Sequence, residues 1–183
     1  MPFHSNTSQN TVIYSSPTWE TKVLQNNLTL GASLTETAGI IDEFKTSIGK
    51  YERIIGEVNI FYTSTNANEF SFRFQNVDSD NAYVDTIFNY SVVACIGDVV
   101  DSNNAESANL EGGTASDAAP NNNTGRGAII KLDANSDDSP LAATIKFSAI
   151  GNEGKNGTLS FQAGGVAGAP VLLAGSWINY KRF

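Results

Sequence analysis

The sequence predicts an all-β protein: a two-sheet antiparallel β-sandwich or jelly roll with an extended N-terminal arm. Three observations carry this. From residue 50 onward apolar side chains recur at every second position. The segments so marked are separated by Gly, Asn and Pro clusters such as SPT, GNEGKNG and AGGVAGAP, and no stretch carries a helical stripe. Eight or more strands at this spacing make a sandwich and not an α/β enzyme.

Residues 1–18 are polar, with Pro2, Pro17 and the single short apolar run Thr11-Val12-Ile13-Tyr14, and read as an arm. Ordering such an arm costs roughly 20–30 kcal/mol in backbone entropy. It is therefore expected to lie on a neighbouring subunit or along its own domain. Residues 19–183 form the sandwich domain. Residues 36–48 are compatible with a strand or one helical turn, and a strand is preferred.

In residues 50–63, Ile54, Gly56, Val58, Ile60 and Tyr62 share one face, and in 69–74 Phe70, Phe72 and Phe74 point to a core. The two segments predict a hairpin with residues 64–68 as its loop, anchored by three Phe at about 1.5–3 kcal/mol each. Residues 83–96 alternate again, with Val84, Thr86, Phe88, Tyr90, Val92, Ala94 and Ile96 inward and Asp85, Asn89, Ser91 and Cys95 on the second face. Cys95 reads as a small, partly buried filler. Residues 97–126, rich in Asp, Asn, Ser, Ala and Gly, predict a long polar loop. Strand patterns resume at 127–132, at 141–150 with Ala143, Ile145, Phe147 and Ala149 inward, at 158–163 with Leu159, Phe161 and Ala163 inward, and at 171–181.

Composition narrows function by exclusion. The chain has 183 residues, of which 16% are charged, and carries 11 Lys and Arg against 19 Asp and Glu for a net charge of -8. That is too little positive charge for sequence-independent binding to a phosphate backbone. One Cys forms no intrachain disulfide, and no Cys and His cluster resembles a zinc site. The first ten residues lack the basic and apolar regions of a secretory signal, and no window approaches the ~20 apolar residues of a membrane span. The expectation is a protein made in the cytoplasm, with no membrane, nucleic acid or cofactor partner.

Candidate chemistry is sparse. The sole His, His4, lies in the arm, so a nucleophilic triad would have to borrow it, and no enzyme activity is expected. Asp133, Asn135 and Asp137 match the first ligand positions of a calcium loop. The sixth position is Asp138 instead of Gly and the twelfth is Thr144 instead of Glu, so a solvated turn is the preferred reading. Asp78 and Asp80 are read in the same way. Five N-x-S/T sequons, at Asn6, Asn27, Asn89, Asn122 and Asn156, are read as unmodified, and 164–170 as a strand connection without the Lys of a phosphate loop. Trp19, Trp177 and Tyr180 could form a sugar-stacking platform, but interface or core is preferred.

Three segments together resemble a known family. They are Leu34-Thr35-Glu36-Thr37 through 47–54 (SIGKYERI), then 56–64 (GEVNIFYTS) with 69–74 (EFSFRF), and the C-terminal 157–163 (GTLSFQA) with 171–183 (VLLAGSWINYKRF). This pattern resembles the C1q/TNF-like jelly-roll modules of structural proteins of tailed bacteriophages. The resemblance implies a trimer that serves as a capsid decoration (cement) protein or as a tail-associated domain, with no catalytic residue to carry over. A single small domain without a β-helical or coiled-coil shaft favours the head.

The expected function is thus a non-enzymatic virion protein bound to the outside of a phage head, with the major capsid protein as its partner. The alternative is a tail-associated receptor- or carbohydrate-binding module. Phe3, His4, Val12, Ile13 and Tyr14 are expected as arm contacts to the capsid. Apolar residues on both faces near Ile55, Phe61, Tyr83, Ile87 and Val93 exceed what one core needs, and a trimer would bury them. Ile55, Phe61, Tyr83, Ile87, Trp177 and Tyr180 are the expected subunit contacts.

Overall fold

The computed structural model describes residues 18–31, 39–64, 70–96, 106–112, 127, 129–132, 140–151, 155–165 and 169–183. Among these, the only helical element is the 3-10 turn Asp42–Phe44, and no helix is long and apolar enough to cross a membrane. Twelve strands among the described residues make two antiparallel sheets: β1 Glu20–Val23, β2 Leu28–Thr29, β3 Thr46–Ile48, β4 Arg53–Thr63, β5 Phe70–Val77, β6 Thr86–Ile96, β7 Glu106–Gly112, β8 Ile130–Leu132, β9 Leu141–Gly151, β10 Gly157–Gly165, β11 Val171–Leu172 and β12 Trp177–Arg182. The large sheet runs β1-β12-β4-β9-β6-β7, with β11 attached to β4 and β2 to β11. The small one runs β3-β10-β5-β8. The chain passes repeatedly from one sheet to the other, and the two-sheet sandwich predicted from alternation is the observed fold.

Of the inward residues predicted, Ile54, Val58, Ile60 and Tyr62 of β4, Phe70, Phe72 and Phe74 of β5, Phe88, Tyr90 and Val92 of β6, Ala143, Ile145, Phe147 and Ala149 of β9, and Leu159, Phe161 and Ala163 of β10 form one core, while the side chains of Ala94, Cys95 and Ile96 lie outside the described residues. Phe74 stands at its centre, with ring centroids of Phe147 at 4.6 Å, Phe161 at 5.3 Å, Tyr90 at 5.8 Å and Phe88 at 6.3 Å. Aromatic pairs at such separations add about 0.5–1.5 kcal/mol each beyond their buried area. The rings come from both sheets, so this cluster sets the distance between them.

Four elements differ from the sequence expectation. β4 and β5 do not pair as a hairpin. They lie in opposite sheets, and the rings of Tyr62 and Phe70 meet across the core, tilted by 34° with centroids 4.4 Å apart. Facing strands bury both aromatic rows at once, which edge-to-edge pairing would not do. The segment 36–48 holds the 3-10 turn and then β3, not one strand. β7 lies within the segment expected as a loop and is held by its ladder to β6, from Tyr90↔Gly112 to Ile96↔Glu106. Backbone pairing needs no apolar alternation, so composition did not reveal it.

The last strand is broken in two. The Ser176 hydroxyl donates to the Leu173 carbonyl at 2.8 Å and accepts the Phe61 N–H at 3.0 Å, taking the place of a ladder acceptor. Gly175 turns the chain at φ +88°, which glycine adopts without steric cost.

Candidate interaction face

The inner faces of the sandwich are filled by the core, which leaves its outer faces as the candidate contact surfaces. The outer face of the large sheet is built from alternate residues of β12, β4, β9 and β6, and the strand register places them in rows. At one end Arg53, Ile150 and Ile87 lie side by side, with Phe183 bonded to the Arg53 backbone in both directions at 2.8 and 3.3 Å. The next rows are Lys181-Ile55-Ser148-Asn89 and Asn179-Glu57-Lys146-Ser91. The fourth is Trp177-Asn59-Thr144-Val93, where Asn59 donates to Thr144 at 3.1 Å, and Phe61 and Ala142 close the far end.

Apolar side chains at both ends thus flank a band of small polar residues in which Glu57 and Lys146 are opposite-charge neighbours. Phe61 is 38% exposed and Ile87 43%. Exposed aliphatic and aromatic groups between short polar side chains suit contact with another protein surface.

The end nearest Arg53 is also aromatic and cationic. Lys181 Nζ sits 5.1 Å from the Trp19 ring and 4.8 Å from Phe183, and Lys50 Nζ lies 5.0 Å from the Tyr51 ring. Tyr51 adopts φ +60°, an αL conformation that is uncommon for a non-glycine residue, and is 60% exposed. Sequence reasoning assigned Tyr51 to a strand and missed this exposed ring. Only the preceding Gly49-Lys50 hinted at a turn.

The structure brings four of the expected subunit contacts, Ile55, Phe61, Ile87 and Trp177, onto this one face. Two are placed elsewhere. Tyr83 lies off the face and bridges Val77 at the end of β5. Tyr180 is 1% exposed, because it stands three positions from Trp177 and so points to the opposite side of the strand. Its hydroxyl donates to Glu20 at 2.7 Å and accepts from Thr46 at 3.0 Å, tying β1, β12 and β3 at the edge of the sandwich. Burial raises its pKa, and burial pushes that of Tyr90 up to about 12, so both phenols stay protonated near neutrality. Trp19, Trp177 and Tyr180 therefore do not form one stacking platform.

The small sheet supplied a surprise. Ser71, Arg73 and Gln75 of β5, with Ser160 and Gln162 of β10, alternate with the core residues, yet all five are buried. Arg73 Nε donates to Gln162 Oε1 at 2.6 Å across a register pair.

At the end of β5 Asp78 closes the turn. One carboxylate oxygen accepts the N–H of Asp80 and of Ala82, both at 2.9 Å, and the other accepts Lys155 Nζ at 3.1 Å. The Lys155 ammonium, helped by these amides, holds the carboxyl below its usual range. The turn and residues 155–158 enclose a groove of about 400 Å³. Among the described residues no group of three or more His, Cys, Asp or Glu is placed to hold a metal. Phe3, His4, Val12, Ile13 and Tyr14, the candidate calcium positions Asp133, Asn135 and Asp137, and residues 97–126 other than β7 lie outside the described residues.

No protein-family model and no curated protein matches the chain. Among solved structures it is similar to the VP2 subviral particle of infectious bursal disease virus, with 15% identity and a TM-score of 0.26 over 92% of this chain and 40% of that one. The Gt strain of the same virus gives 13% and 0.26 over 92% and 42%. TmCBM61 in complex with β-1,4-galactotriose gives 12% and 0.29 over 90% and 87%. The chain thus spans about two fifths of the viral chains it matches. At these TM-scores no residue or role transfers, and the fold assignment stands on the chain's own sheets.

Proposed function

We propose that the chain is a non-enzymatic virion structural protein: a homotrimeric decoration protein on the outer surface of a tailed-phage head. The outer face of the large sheet carries this reading. Its exposed Phe61, Ile87, Val93 and Ile150 serve no purpose in the core of a single subunit, and self-association through a closed symmetry buries them. The C1q/TNF-like pattern of residues 30–183 supports the trimer. In this reading the arm residues Phe3, His4, Val12, Ile13 and Tyr14 grip the major capsid protein.

The test is the oligomeric state in solution. Sedimentation equilibrium of the full chain should give a trimer, and Phe61→Lys with Ile87→Lys should give a folded monomer with unchanged far-UV circular dichroism. A wild-type monomer at micromolar concentration, or a trimer unaffected by the double substitution, would overturn the assignment of this face.

A further inference from the structure

Asn156 is the only one of the chain's 20 Asn that is followed by Gly. It is exposed, lies one residue before β10, and its side-chain Oδ1 accepts the backbone N–H of Lys50 at 3.2 Å. The glycine that follows is demanded by packing. A Cβ at Gly157 would lie 2.0 Å from Oδ1 and 2.7 Å from Cγ of Asn76. Asn76 cannot easily yield, because it is 1% exposed and its Nδ2 donates to Thr86 Oγ1 at 2.8 Å inside the sandwich. The core thus imposes Gly at 157 and leaves Asn156 beside a backbone nitrogen that no side chain shields.

We infer that Asn156 is a site of spontaneous covalent modification, in which the Gly157 nitrogen closes on the Asn156 side chain and water then opens the ring to aspartate or isoaspartate. The nitrogen attacks Cγ as its proton passes to water or hydroxide. Negative charge develops on Oδ1, where the Lys50 N–H already donates, so this amide acts as an oxyanion donor. Collapse breaks the Cγ–Nδ2 bond and, with a proton from water, expels ammonia, leaving a succinimide. Water adds to one of its two carbonyls: one opening gives aspartate, the other an isoaspartyl link that adds a methylene to the main chain. Nucleophile and carbonyl belong to adjacent residues, and their proximity supplies the rate.

Two consequences follow from position. The lengthened chain enters β10 where Thr158 is paired on both sides, with Ser47 and with Val77. The new carboxylate joins Asp78 and Asp80 at the groove that Asn156 lines. Modification therefore loosens the junction of β10 with β3 and β5.

The test is a time course of the folded full chain at mildly alkaline pH, read by peptide mapping with isoaspartate detection and by melting temperature. The peptide holding Asn156 should gain the acid and isoaspartyl forms ahead of every other Asn peptide, with Tm falling in step. Asn156→Gln, which must close a larger ring at an exposed position, should keep the wild-type fold and react roughly tenfold more slowly or less. Retention of the amide at Asn156 while the urea-unfolded chain converts would overturn the inference, as would another Asn of the folded chain reacting first.

Discussion

Tyr90 shows how far a single side chain could be read in advance. Its place in the alternation from Val84 to Val92 put the ring inward, and the ring lies against Phe72 and Phe74. The ionisation behaviour follows from burial. With a folded pKa of about 12 against 10.0 in the unfolded chain, unfolding is favoured once the unfolded phenol ionises. This contribution is full below pH 10.0 and is lost as pH rises toward about 12. Urea titrations across that range should show stability falling with pH, and Tyr90→Phe should make the fall shallower. Arg73 and Tyr180 were not legible in the same way. An Arg between two Phe reads as an outward residue, and its burial beside Gln162 depends on a second strand 89 residues away. Tyr180 was misplaced because its aromatic character outweighed its phase on the strand.

At the level of elements, alternation identified the strands well and their partners poorly. Side-chain period reports which face of a strand is wet. It does not report which sheet the strand joins, and so β4 and β5 read as a hairpin although each crosses the core to face the other. β7 escaped because a ladder of backbone bonds leaves no hydrophobic signature, and the break before β12 escaped because it rests on one hydroxyl, that of Ser176. The elements that alternation did place converge on Phe74, which touches four rings from β6, β9 and β10. Phe74→Ala removes the common member of these pairs and should cost about 3–5 kcal/mol in chemical denaturation. Val93→Ala, on the exposed face of β6, should leave the stability of an isolated subunit within about 0.5 kcal/mol.

For the whole molecule, the fold class was legible in the sequence, and so was the placement of Ile55, Phe61, Ile87 and Trp177 on the outer face of the large sheet, because period two assigns a face as soon as the core side is known. What the alternation could not supply was the company these residues keep: the rows from Phe183 to Ile87 and from Trp177 to Val93 are assembled by register alone from strands that lie more than a hundred residues apart, as Trp177 and Asn59 do. The low charge and high Asn content are then the outer surface and turns of a sandwich whose large sheet exposes Phe61, Ile87, Val93 and Ile150. In the proposed reading the protein works by contact, and its setting is the repeated shell of a phage head. The proposed reading assigns the chain to a tailed phage, and the measurement that tests it most directly is quantitative mass spectrometry of the purified virions. The account predicts a fixed, high ratio of this protein to the major capsid protein, with three copies per attachment site. Its absence from the particle, or an abundance matching the few copies of a tail component, would contradict it.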